Sequence, residues 1–114
     1  MKTELLYRPS FAIARVELAQ GESVRSEGGA MLSKSANVSI ETSATGGLMK
    51  SLKRGILGGE SFFMNTFRAD GGTGEVIFAP SLPGDVVTVD IGTTPLLVNS
   101  GSFLAAEMGV QVDT

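Results

Sequence analysis

Lys50, Lys53 and Arg54 are the residues whose type and spacing best suit a binding chemistry. They fall on one side of segment 48–57. Leu48, Met49, Leu52, Ile56 and Leu57 recur at helical spacing on the other. Glycine pairs, Gly46-Gly47 and Gly58-Gly59, bracket the stretch. A short amphipathic helix, or a helix-like insertion over about 47–58, is therefore expected. Alone it would be marginal in water, so its apolar stripe needs a receiver. Two kinds of receiver fit: the open end of a β-barrel or a neighbouring subunit, which makes the segment a structural cap, or an anionic partner. For the second, RNA phosphates or an anionic membrane surface would meet the three cations. One basic residue near an anionic surface contributes about 1 kcal/mol, so one copy would bind weakly and release in salt.

Catalytic chemistry is poorly provided for. The chain has no His and no Cys. That removes His acid–base catalysis, Cys nucleophiles, thiolate metal sites and disulfides. Ser51 beside Lys53 is more simply a solvated helix face than a nucleophile with its base. Neither Gly-x-Gly-x-x-Gly nor a P-loop is present; 55–59 lacks the Lys-Ser/Thr that would complete one. Asp85 and Asp90 bound one apolar run, and nothing nearby completes an oxygen-rich calcium loop. Glu60, Glu75 and Asp85 serve equally well as solvated strand ends. The expectation is a protein that is not an enzyme, with no catalytic residues, no cofactor and no metal.

Nine basic against twelve acidic residues give a formal net charge of −3. This is no footprint for general nucleic-acid binding, and no DNA partner is expected. Charged residues make up 18% of the chain, against roughly 25% in ordinary soluble domains. So little charge fits a domain that buries part of its surface in a homo-oligomer, a dimer or trimer. No apolar run approaches the ~18 residues of a membrane span. Glu4, Tyr7 and Arg8 interrupt any signal-peptide core. A cytoplasmic location is the expectation.

The elements that must position these residues are strands. Fifteen glycines punctuate the 114 residues, between short β-branched runs, which argues for an all-β sandwich or barrel. Ala12, Ala14, Val16 and Leu18 share one face of a strand, with Arg15 and Glu17 on the other. Val24 lies in a short strand, and 30–32 is an apolar stub. Residues 37–43 alternate strictly. Residues 61–68 form an aromatic strand with large side chains on both faces, so it should be central, with Phe62, Phe63 and Phe67 structural. Residues 70–74 read as a hairpin loop and 75–79 as its return strand. Further strands are expected over 85–91, 96–98, 103–104 and 110–112. All of this fits one β domain over 1–114.

A faint echo runs through the chain. Val16-Glu17-Leu18, then Val24-Arg25-Ser26 and Met31-Leu32, is matched by Val89-Asp90-Ile91, Val98-Asn99-Ser100 and Phe103-Leu104. One unit and the opening of a second would leave strand edges for another copy of the chain to cover.

Several blocks together resemble a known family. They are Tyr7-Arg8-Pro9-Ser10-Phe11, Gly21-Glu22-Ser23-Val24, Glu27-Gly28-Gly29-Ala30-Met31, Leu57-Gly58-Gly59-Glu60-Ser61-Phe62-Phe63, Leu82-Pro83-Gly84-Asp85 and Ser100-Gly101-Ser102-Phe103-Leu104-Ala105. In order and type they resemble the altered-inheritance-of-mitochondria / tryptophan-RNA-binding-attenuator-like family. The resemblance implies an attenuator-like all-β fold, a short double-stranded β-helix that forms rings. It implies a non-enzymatic scaffold or interaction role, tied in eukaryotic members to mitochondrial inner-membrane organisation. It covers nearly the whole chain but only the first half of a typical member. No motif here matches the attenuator's RNA-binding residues.

Overall fold

A computed structural model describes residues 1–44 and 63–113. Eight strands are found there: β1 (Lys2–Leu6), β2 (Ile13–Leu18), β3 (Ser23–Glu27), β4 (Met31–Lys34), β5 (Val38–Ala44), β6 (Phe63–Ala69), β7 (Gly74–Phe78) and β8 (Ala105–Glu107). They form two antiparallel four-stranded sheets, ordered β1-β2-β7-β4 and β5-β6-β3-β8. The fold is all-β, as the alternation predicts.

The pairing has a simple rule. β5 pairs with β6, β4 with β7, and β3 with β8. These are the two arms of one antiparallel ribbon. β3 also pairs with β6, and β2 with β7, so successive turns of the ribbon lie side by side. The result is a double-stranded β-helix whose walls are the two sheets of a sandwich. Along β2–β5 the chain switches sheet at every connection.

The core forms where the walls face each other. In β2, Ala14, Val16 and Leu18 turn inward and are buried; in β7, Val76 and Phe78 do the same. The second sheet contributes Val24, Val38, Phe67 and Ala69. Phe67 and Phe78 meet across the sandwich edge to face, centroids 5.4 Å apart and planes at 70°. β6 is an interior strand of its sheet, as its large residues require, with Phe67 and Met64 buried on opposite faces.

Polar groups lock the corners. Asn37 Nδ2 donates to the carbonyls of Thr73 at 3.0 Å and Asp70 at 3.2 Å, while Asp70 N–H donates to the Asn37 carbonyl at 3.0 Å. Ser35 N–H donates to the Glu75 carbonyl, and Glu75 N–H to Ser35 Oγ. Buried Asn65 accepts from Thr42 Oγ1 at 2.6 Å and donates to the Gly28 carbonyl at 3.0 Å. Arg25 fastens the chain beyond β8 by donating to the carbonyls of Met108 and Val110.

Four expectations need correction. Residues 70–74 are not a hairpin: β6 and β7 lie in different sheets, and Gly71 and Gly72, at φ 75 and 132, carry the chain across the corner. Asn37 holds that corner open by collecting its carbonyls. The runs 85–91, 96–98 and 110–112 join no ladder, and the expected strand at 103–104 begins instead at Ala105. Phe63, the first residue of β6, is 51% exposed, so the ring is not a core position. β1 was not legible, since Lys-Thr-Glu-Leu-Leu alternates weakly; it pairs with β2 at the first sheet's edge. The helix expected over 47–58 lies outside the described residues.

Candidate interaction surface

After β7 the chain leaves the ladder. Pro80, Pro83 and Pro95 supply no backbone donors there, which disfavours a paired strand around them. Residue 84 returns to the start of β2, where Ala12 N–H donates to the Gly84 carbonyl at 2.9 Å. One residue on, Asp85 takes a two-pronged hold from Arg8: Nε to Oδ1 at 2.8 Å and Nη2 to Oδ2 at 3.0 Å. Val86 then packs against the core. The first two contacts tie the root of an arm, residues 85–98, to the loop between β1 and β2, and the third seats it on the core.

The Arg8 guanidinium holds the Asp85 carboxyl below its ordinary value of 3.8; the Val86 N–H adds to this. The Arg8 value is raised in turn by the same hydrogen bond. Both groups are well exposed, so the pair positions the arm more than it stabilises the fold. A carboxylate whose folded pKa is lowered stabilises the fold above its unfolded pKa. That contribution is lost as pH falls below about 4, through the folded value. NMR titration of the Asp85 carboxyl is expected to show this low midpoint. Arg8→Ala should move it up toward the ordinary value; an unchanged midpoint would mean the hold is absent in solution.

Beyond its root the arm is apolar and exposed. Val87 is 65% exposed and Leu97 96%, and Val89, Leu96 and Val98 are each more than half exposed. Thr94 N–H donates to the Ile91 carbonyl at 3.1 Å, Gly92 takes φ 53, and Asp90 Oδ1 accepts the Gly92 N–H at 3.2 Å. Gly at the first central position with positive φ suits the turn of a hairpin. The limbs on either side of this turn nevertheless form no ladder. Leu82, before the root, is exposed, as are Tyr7 and Phe11 in the loop that the root contacts. Tyr7 takes a left-handed φ of 60, uncommon for a residue of its bulk.

Lys50, Lys53 and Arg54 lie outside the described residues; the strands flanking their segment end at the paired residues Ala44 and Phe63. The exposed surface around the arm was missed in sequence because its valines and leucines look like buried strands. The prolines at 80, 83 and 95 were the available signal. Among the described residues, no group of three or more acidic side chains is placed to hold a metal ion. No described helix is long and apolar enough to cross a membrane.

The fold and surface define a class: a double-stranded antiparallel β-helix carrying an exposed apolar arm. Residues 3–114 match the family described as mitochondrial biogenesis AIM24, and the chain belongs to that family. An uncharacterized protein of Streptococcus pyogenes serotype M6 is 31% identical over 107 residues, covering 89% of this chain and 43% of that protein. The crystal structure of a Streptococcus pyogenes protein, a structural genomics target, superimposes with a TM-score of 0.69 at 26% identity. It covers 94% of this chain and 50% of the solved one. The chain thus spans about half the length of these relatives.

Proposed function

We propose that this chain is a non-enzymatic, self-assembling β-scaffold that works as an interaction module. The observation that supports it is the concentration of apolar surface. Of the fourteen large hydrophobic residues exposed among the described residues, six lie within 82–98. Singly scattered exposed hydrophobics are ordinary, and so many within one stretch of chain favour an interaction role. The low charge fraction agrees with an assembled surface, and a cytoplasmic setting is part of this reading.

Light scattering at micromolar concentration tests the reading: a dimer or trimer is expected, and a particle of 11.8 kDa would overturn it. A second reading makes the scaffold a carrier for an anionic partner, RNA or an anionic membrane surface, bound through Lys50, Lys53 and Arg54. The attenuator-like resemblance read from the sequence, with its rings, belongs with this reading. The 260/280 nm absorbance ratio of the same sample reports co-purifying nucleic acid, since one Tyr and no Trp leave the protein's own signal small.

A further inference from the structure

The corner between β6 and β7 holds the chain's single Asp-Gly step, Asp70-Gly71. Asp70 is anchored through its main chain. Its N–H donates to the Asn37 carbonyl at 3.0 Å, and its carbonyl accepts from Asn37 Nδ2 at 3.2 Å. Its carboxylate is held more loosely. Arg68 Nε donates to Oδ1 at 3.1 Å, and Ser39 Oγ to Oδ2 at 3.5 Å. The Arg68 and Asp70 side chains are both more than half exposed, and exposed ion pairs of this kind restrain little. Exposed side chains change rotamer within nanoseconds, so the carboxyl can turn.

Gly71 differs from its neighbours in the corner. Asn37 Nδ2 donates to the carbonyls of Asp70, Gly72 and Thr73, whereas the Gly71 N–H has no hydrogen-bond partner among the described residues. Gly71 is exposed at φ 75, a conformation glycine adopts without strain. Nothing lies within 4 Å of the point where its Cβ would stand. An unengaged amide nitrogen, with no side chain to shield it, thus sits beside a mobile carboxyl.

We infer that Asp70-Gly71 is a site of spontaneous isoaspartate formation. The Gly71 nitrogen bonds to Asp70 Cγ, the Cγ–OH bond of the protonated carboxyl breaks, and the amide proton leaves with the hydroxyl as water. Water then opens the cyclic imide. Cleavage of the Cγ–N bond restores aspartate. Cleavage of the bond from the main-chain carbonyl carbon to nitrogen leaves isoaspartate, with Cβ and Cγ in the main chain and the former carbonyl as a free carboxylate. The path from Asp70 Cα to Gly71 N becomes one atom longer, and the carbonyl that Asn37 holds leaves the chain. The change falls where the chain crosses from the second sheet to the first. The other aspartates are worse placed. Val86, Ile91 and Thr114 follow them, and their β-branched side chains crowd the amide that would attack. Asp85 is also held at both oxygens by Arg8.

Cleavage after glutamate separates Asp70, in peptide 61–75, from Asp85 and Asp90, in peptide 76–107. The full chain is incubated for several weeks at neutral pH and body temperature in heavy-oxygen water, since each ring that opens takes up one oxygen from water. Heavy oxygen and isoaspartyl methyltransferase labelling are expected to build up in 61–75 at least tenfold above 76–107. Asp70→Glu keeps the charge but needs a larger, slower ring, and should abolish both signals. Asp70→Asn closes the same ring with ammonia as the leaving group, and should gain the label faster than the wild type. Equal labelling of the two wild-type peptides would overturn the inference. So would an Asp70→Asn protein of wild-type circular dichroism whose 61–75 peptide gains no more label than its 76–107 peptide, since the folded corner then cannot close the ring.

Discussion

Phe67→Ala is expected to cost about 3–5 kcal/mol, the loss usual for deleting a buried aromatic ring from a packed core. Phe67 is fully buried on an interior strand and makes the edge-to-face contact with Phe78 from the opposite wall. Removing it leaves a cavity between the sheets, lined by Val24 and Val38 among others of the cluster. Backbone ladders on both sides of β6 hold the walls in place, so collapse into that space should be partial. Phe63→Ala on the same strand is the internal control. Its ring is half exposed, and the loss should stay under about 1 kcal/mol. Urea denaturation of both variants measures the pair. Equal losses would show that the core is not centred on Phe67.

Gly74→Ala should also destabilise, by about 1–3 kcal/mol, through overpacking rather than backbone strain. Gly74 opens β7, paired with Leu18, and is buried against Val38 and Ala69 of the second sheet. A Cβ placed there would stand 2.5 Å from Val38 Cγ2 and 3.2 Å from Ala69 Cβ. Ala69 Cβ has no rotamer to change, so Val38 or the corner backbone must move. Asn37 Oδ1, 3.5 Å from the same point, ties any shift to the residue that holds the 70–73 corner. Val38→Ala removes the closest atom. The double variant should therefore be more stable than the sum of the two single losses implies, by at least ~0.5 kcal/mol. Strict additivity, measured by denaturation of all three variants, would contradict the contact.

The local pattern of residues determined the all-β class, the inward face of β2, the interior place of β6 and the glycine-marked corners. These follow from period-two alternation and from side-chain size, which are properties of a few neighbouring residues. Alternation states which face of a strand is buried but not which strand lies beside it. So Asp70-Gly71-Gly72-Thr73-Gly74 could close a hairpin or cross between sheets. The tertiary structure chose the crossing, because β7 finds partners in β2 and β4, and this brings Phe78 onto Phe67. The same limit applied to Phe63 and to 85–98. Phe63 has the residue type of a core position but opens its strand half exposed. The valines and leucines of the arm have the composition of buried strands, yet Val87, Val89, Leu96, Leu97 and Val98 are exposed. The basic side chains at 50, 53 and 54 remain a property of the sequence alone. Burial depends on what stands opposite a residue in space, and distant parts of the chain supply it.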